Sequence, residues 1–178
     1  MTELDPEIMK IFTKAHCKDA KEATKLSGID KIFPNMTVDD FLFEPCGYSM
    51  NGILKDDKMD YGLGEYMTIH ITPEPEFSYV SFETNVPLES YLDLIKTVLN
   101  IFRPGKFTLT VFANKVSIQS ETSSQVESPM KLQTSRAADC HKELNLCKQY
   151  GDWVRKDINY CSMQNYELTY AHFIKFPS

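Results

Sequence analysis

The sequence of 178 residues is long enough for one domain with a substantial hydrophobic core. Hydrophobic residues make up 42%, aromatic residues 12% and charged residues 25% of it, which are the proportions of a folded globular protein. The 25 Asp and Glu residues outnumber the 19 Lys and Arg residues, giving a net charge of -6, and no dense basic run is present. Neither nucleic acid nor an anionic membrane is therefore an expected partner.

Targeting signals and cysteine spacing bear on location and redox state. Met1 to Pro6 has no basic segment followed by an apolar run, and no stretch approaches the ~18 apolar residues of a membrane span. We therefore expect a cytoplasmic protein, and in the cytosol thiols are normally free. We also expect no bound metal, because the cysteines lack the CxxC spacing of zinc sites. Their odd number leaves one thiol able to bridge two chains under oxidising conditions. The five cysteines are Cys17, Cys46, Cys140, Cys147 and Cys161.

Two short helices are predicted near the N-terminus. Asp5-Pro6 provides a capping side chain and a first-turn proline for the first of them. The second covers Lys18 to Leu26 and should end at Ser27-Gly28, since glycine commonly terminates a helix.

A hairpin, a helix and a further strand follow in the middle of the chain. Met67 to Thr72 and Phe77 to Thr84 are rich in β-branched and aromatic residues and should pair across the intervening turn at Pro73-Glu74-Pro75. Leu88 to Phe102 has helical apolar spacing, and a strand from Phe107 to Phe112 comes after it.

The last third is less regular. Val116 to Ala137 is rich in Ser, Thr and Gln, which predicts a mobile loop rather than a domain boundary. His141 to Val154 is ambiguous, with a helix as one interpretation, and Tyr166 to Phe176 alternates as a half-buried strand does. The pattern predicts a single α+β domain over residues 1–178, an antiparallel sheet covered by helices on one face.

Two segments mix polar and apolar residues in a way that a plain core does not explain. They run from Phe43 to Gly52 and from Thr68 to Thr84. The first places Ser49 close to a Cys-Gly pair, and the second has His70 within a strand and Glu74 just after a proline. If the strands are adjacent, these groups form a set for proton transfer and hydroxyl binding.

Both segments resemble the most specific signatures of the eukaryotic-type S-adenosylmethionine decarboxylase family. The resemblance continues through Pro104-Gly105-Lys106-Phe107 and back to Leu4-Asp5-Pro6, so that it covers most of the chain except Val116 to Trp153. It implies the C-terminal half of the family fold, one half of a four-layer αββα sandwich. One sheet face would then be open, which predicts a homodimer through that face, or else a heterocomplex with a full-length decarboxylase.

The resemblance also implies roles for six residues. Phe43 matches the aromatic residue that stacks on the substrate adenine, and Glu74 matches the carboxylate that binds the ribose hydroxyls. Ser49 and His70 match the pair that assists self-processing, in which the imidazole takes a backbone proton. Two more positions, Glu83 and Phe112, match the region where some members bind putrescine.

The family cofactor is a self-generated pyruvoyl group, an electron sink that the family forms from a serine in its N-terminal half. This chain matches only the C-terminal half, so we expect no cofactor in it. The polar segment offers Glu127-Ser128 and the run Ser120 to Ser124, but these follow the matched segments instead of preceding them. Their similarity to a processing site is interpreted as compositional.

Three hypotheses for function follow from the resemblance. The first is a non-catalytic family member that acts in polyamine biosynthesis by self-association or as a regulatory partner of an active decarboxylase. The second is one chain of a split, pyruvoyl-dependent decarboxylase. The third is a sensor that binds S-adenosylmethionine or a polyamine without chemistry.

Overall fold

The computed structural model describes residues 1–54, 64–88, 91–114, 142 and 144–176. The chain divides into two compact units, each with a four-stranded antiparallel sheet. The first unit consists of Met1–Val86 and Asp93–Gly105, and the second of Pro87–Leu92 and Lys106–Ser178. The predicted loop at Val116 to Ala137 lies outside the described residues, and a single family domain over the whole chain stays a prediction.

The first unit has a sheet in the order β1-β2-β3-β4, with each strand antiparallel to its neighbours. The predicted hairpin is confirmed, because β3 and β4 pair with Met67 opposite Thr84 and Thr72 opposite Tyr79. The strands are β1 Thr37–Leu42, β2 Tyr48–Leu54, β3 Glu65–Thr72 and β4 Tyr79–Thr84.

The predicted helices form, with the expected cap at Asp5 and the expected end at Gly28, but the second helix begins at Ala20 rather than at Lys18 because Asp19 caps it. Asp5 accepts a hydrogen bond from the backbone N–H of Glu7 (2.9 Å), and Asp19 caps the second helix by accepting from Glu22 (2.9 Å). Gly28 ends that helix with φ 82°, in the left-handed region that favours glycine. The helices are α1 Pro6–Met9, which continues as a 3-10 turn over Lys10–Phe12, α2 Ala20–Ser27 and α3 Tyr91–Phe102.

Helices cover one face of this first sheet. Side chains from α1, α2 and α3 share a buried cluster with alternate residues of the four strands. Phe12 lies at its centre, with ring centroids 5.3 Å from Tyr48 and 6.4 Å from Phe102. The expected α+β arrangement is therefore confirmed, and the alternation leaves the other half of the strand residues on the opposite face.

The second unit has a sheet in the order β5-β8-β7-β6. Its buried aromatic cluster is built on Phe107 and Phe173, whose rings stack at 4.6 Å, with Tyr150 and Trp153 against them. The strands predicted at Phe107 to Phe112 and at Tyr166 to Phe176 are confirmed. The strands are β5 Lys106–Asn114, β6 Gln149–Tyr150, β7 Trp153–Ser162 and β8 Tyr166–Lys175.

The ambiguous segment from His141 to Val154 contains both kinds of structure. Residues 144–146 are helical, but β6 and β7 then form a tight hairpin. Gly151 makes the turn with φ 53°, and burial of Tyr150 and Trp153 anchors both strands. Among the described residues, no helix is both long and apolar enough to cross a membrane.

A buried hydroxyl cluster fixes β2 to α2. The Thr24 hydroxyl lies 2.6 Å from the Tyr48 hydroxyl, 2.5 Å from an Asp40 carboxylate oxygen and 2.9 Å from the Ala20 carbonyl. Thr24 has one proton, which Asp40 or the carbonyl accepts, so the Tyr48 hydroxyl donates to Thr24. The cluster therefore holds in place the strand that carries Ser49.

This cluster predicts a loss of stability at alkaline pH. Burial raises the pKa of Tyr48 and the charge of Asp40 adds to this, whereas a hydrogen bond donated by Thr24 to the ionised phenolate acts in the opposite direction. The folded state thus retains a proton that the unfolded chain releases above about pH 10, and stability should fall from there upward. Urea unfolding at pH 7, 10 and 11 should show that Tyr48→Phe weakens this decline, at a neutral-pH cost of about 1 kcal/mol.

Tyr79→Phe is the matched control, because Tyr79 is exposed on the same sheet. It should leave the alkaline decline as it is in the original chain. Equal pH dependence in all three proteins would contradict the assignment to Tyr48.

Candidate functional site

Ser49 and His70 form a hydrogen-bonded pair. They are directly opposite each other on β2 and β3, with Ser49 Oγ 2.9 Å from His70 Nδ1. Ser81 faces His70 from the other side on β4. When Nδ1 is unprotonated, the serine hydroxyl donates to it, and the imidazole is then a base next to a hydroxyl. Antiparallel register is thus the reason why residues 21 positions apart meet.

This pair lies on the face of the first sheet that the helices do not cover, called here the exposed face. It is made of the alternate residues of β1 to β4 that point away from the buried cluster. Two register rows cross all four strands there. One row consists of Phe41, Ser49, His70 and Ser81, and the next consists of Asp39, Asn51, Thr68 and Glu83. Glu83, a predicted site residue, is therefore one row from the Ser49–His70 pair.

Phe43 lies in the turn that joins β1 to β2. The turn is closed by a hydrogen bond from Phe43 N–H to the Gly47 carbonyl (2.8 Å). Gly47 has φ 110°, which strongly favours glycine here. The Phe43 ring is 44% exposed and meets Phe41 edge to face with centroids 4.7 Å apart. One side of an aromatic ligand can therefore stack on Phe43, whose ring is in contact with Phe41.

Glu74 lies in the turn between β3 and β4, and its side chain is exposed. Its carbonyl accepts a hydrogen bond from Phe77 N–H (3.0 Å), which fixes the turn. Burial raises the pKa of the Cys46 thiol, and the negative charge of Glu74 raises it further. From the sequence, Cys46 is noted only among the cysteines and in the Cys-Gly pair near Ser49, and it is not related to Glu74.

Phe112 belongs to the second unit. It is 60% exposed on β5, opposite Leu168, and its ring centroid is 5.3 Å from that of Tyr166. The same sheet carries a second hydroxyl–imidazole contact that the sequence reasoning missed, between Thr108 Oγ1 and His172 Nδ1 at 3.2 Å. Thr108 and His172 are opposite each other on β5 and β8, as the Ser49–His70 pair is on its strands.

Metal coordination finds little support in the described part of the chain. No group of three or more His, Cys, Asp or Glu side chains is placed there to hold an ion. The exposed face carries a hydroxyl and an imidazole, Ser49 and His70, which can hydrogen-bond and transfer protons, and an aromatic ring, Phe41.

Comparison with known proteins identifies the family. The family model for adenosylmethionine decarboxylase matches residues 1–174. The S-adenosylmethionine decarboxylase proenzyme of Drosophila melanogaster is 49% identical over 173 residues, covering 97% of this chain and 43% of the fly protein. The Caenorhabditis elegans proenzyme is 35% identical over 179 residues, covering 100% of this chain and 42% of the worm protein.

A crystal structure of the Trypanosoma brucei AdoMetDC-delta26 monomer has the same fold, with a TM-score of 0.68 and 23% identity. The match covers 98% of this chain and 62% of that one. The chain thus spans less than half the length of the fly and worm relatives. The family match over residues 1–174 shows that this chain belongs to the adenosylmethionine decarboxylase family.

Proposed function

We propose that the chain is a non-catalytic S-adenosylmethionine decarboxylase-like protein of polyamine biosynthesis that acts by association. The preferred partner is a second copy of the same chain. The alternative partner is an active decarboxylase whose output the chain adjusts. The proposal places it in the cytosol. The observation that carries it is the exposed face, because large apolar side chains lie there among hydrogen-bonding groups. Phe41, Ile53, Tyr66 and Tyr79 are such side chains.

That composition is typical of a recognition surface. Single exposed apolar side chains are ordinary, but several on one sheet face, among polar rows, indicate an interface or a ligand site. Aromatic residues supply contact area there, and groups such as Ser49 and His70 supply specific hydrogen bonds. A partner that covers this face would remove both the aromatic and the hydrogen-bonding side chains from water. The native mass of the purified chain, alone and mixed with a full-length decarboxylase, tests this proposal.

A second candidate function is one chain of a split decarboxylase, and the Ser49–His70 hydrogen bond favours it. The implied pyruvoyl group fits the donor set here, since a hydroxyl and an imidazole 2.9 Å apart would hold it from one side. When bound, that group supplies the electron sink for loss of carbon dioxide. Ser49 would donate its hydroxyl proton, and His70 would take and return a proton at Nδ1.

Either function gives Phe43 and Glu74 the roles of an adenosine half-site. Phe43 would stack on the adenine, and the Glu74 carboxylate would accept from the ribose hydroxyls, which one acidic group can do for two donors. The sensor hypothesis requires this half-site to bind by itself. Stacking on one aromatic ring adds only ~0.5–1.5 kcal/mol beyond area burial, which argues against tight binding.

We therefore expect weak binding of S-adenosylmethionine to the chain alone, with a Kd of about 1 mM or weaker. NMR titration should detect it, and Phe43→Ala should abolish the saturable shifts. Phe77→Ala is the matched control, because Phe77 is an exposed phenylalanine in the neighbouring turn. Tight calorimetric binding that disappears in Phe43→Ala would instead favour the sensor.

A further inference from the structure

Phe41 and Phe43 form a contact pair at the end of β1. Leu42, which lies between them in the sequence, is buried in the core of the first unit. Because successive side chains of an extended chain point to opposite sides, Phe41 and Phe43 both point away from that core. Their ring centroids are 4.7 Å apart and their planes are inclined at 63°. This separation and inclination are those of an edge-to-face aromatic pair.

The backbone that carries Phe43 is fixed from the core. Phe43 N–H donates to the Gly47 carbonyl at 2.8 Å, and Gly47 N–H donates to the Phe12 carbonyl at 3.0 Å. Phe12 is fully buried. A Cβ on Gly47 would lie 3.6 Å from Phe43 Cδ2, so the backbone of this glycine is next to the phenyl ring. The turn therefore sets where the Phe43 side chain begins, and rotation about its side-chain bonds sets where the ring points.

The direction of the Phe43 ring decides how well a flat ligand can stack on it. The side chain is 44% exposed, so solvent leaves part of its rotation open. A side chain that samples several rotamers loses that freedom when a ligand stacks on it, and this loss weakens binding. A neighbour that restricts the ring beforehand therefore strengthens binding. Phe41 is a neighbour of this kind, because its ring is in contact with that of Phe43.

We propose that Phe41 is a positioning residue for Phe43. Its ring restricts Phe43 to the orientation in which the open face of the phenyl group receives an adenine, and Phe41 acts through Phe43 rather than by touching the ligand. The inference rests on the proposed function in assigning the adenine to Phe43. The contact between the two rings stands on the geometry of the first unit alone.

Fluorine NMR tests this contact without any ligand. In protein labelled with 4-fluorophenylalanine, the signal that is missing from Phe43→Leu belongs to Phe43. That signal should move in Phe41→Leu, because the Phe43 ring then loses the ring current of its neighbour. Phe77→Leu is the matched control and should leave the signal in place, since Phe77 is an exposed phenylalanine of the neighbouring turn. A Phe43 signal at the same position in Phe41→Leu would overturn the proposal.

Adenosine binding, followed by NMR titration, tests the positioning. Phe41→Leu should weaken binding about twofold to tenfold, the range expected for loss of one aromatic pair. Phe41→Tyr keeps the ring and should bind adenosine as the original chain does. Phe41 is 61% exposed, so both substitutions leave the core unchanged. Because Phe41 also lies on the exposed face, the titrations use a protein concentration at which sedimentation gives all variants the same mass.

Failure of this inference can be distinguished from failure of the proposed function. Equal adenosine affinity in Phe41→Leu and the original chain would overturn the positioning role, and so would weakened binding that Phe41→Tyr does not restore. Either result leaves the adenine assigned to Phe43. If the Phe43 signal moves in Phe41→Leu but the original chain shows no saturable adenosine binding, the adenine assignment itself is overturned, and the inference fails with it.

Discussion

The purified chain of 20.5 kDa is expected to remain intact and to release no carbon dioxide from S-adenosylmethionine above background. Ser49 and His70 can hold and move protons, but neither withdraws electrons from a substrate as a carbonyl cofactor does. Self-processing also needs a scissile bond placed beside this pair. Intact mass spectrometry and trapping of labelled carbon dioxide measure the two parts of the expectation.

A full-length decarboxylase assayed in parallel is the positive control, and His70→Ala is the negative one. The original chain and His70→Ala should both be at background. Two fragments, the second blocked by a pyruvoyl group, would contradict the expectation. So would a robust rate that survives removal of the host decarboxylase and disappears in His70→Ala, and either result would move the assignment to an enzyme.

Local signals accounted for most of the first unit. Asp5 caps a helix with its side chain and Gly28 ends one with a positive φ, and both tendencies belong to the residue type itself. The hairpin of β3 and β4 has a proline-containing turn between two β-branched strands. The partition into two units was not predicted, because a break between contact clusters depends on long-range packing that has no local signature.

The residues of the candidate site could be predicted from the sequence, but most of their spatial arrangement could not. We predicted that Ser49 and His70 form a set if their strands are adjacent. The register of β2 and β3 brings the two side chains into contact. The contact between Thr108 and His172 was missed because neither residue carries a local signal for the register of β5 and β8. For Glu83 and Phe112, the predicted putrescine role stays a prediction.

Self-association through the exposed face is the other large effect that we expect. Sedimentation over a range of concentrations should show a dimer, because pairing two copies about a two-fold axis covers this face on both at once. Ile53→Lys, which adds a charge on the face, should weaken the dimer about tenfold or more, since a buried unpaired ammonium is costly. Leu26→Lys is the matched control, because Leu26 is 56% exposed on α2 and Ile53 is 52% exposed on β2.

The same runs with and without reductant separate the face from the thiols. An exposed cysteine such as Cys161 can bridge two chains once they are oxidised. A dimer that survives reductant, weakens in Ile53→Lys and persists in Leu26→Lys places the interface on the sheet. A dimer that dissociates when reductant is added would instead show that a disulfide holds the two chains together. The chain could also remain a monomer at every concentration, both alone and with a full-length decarboxylase. That result would contradict action by association, because the apolar side chains on this face would then have no protein partner in either sample.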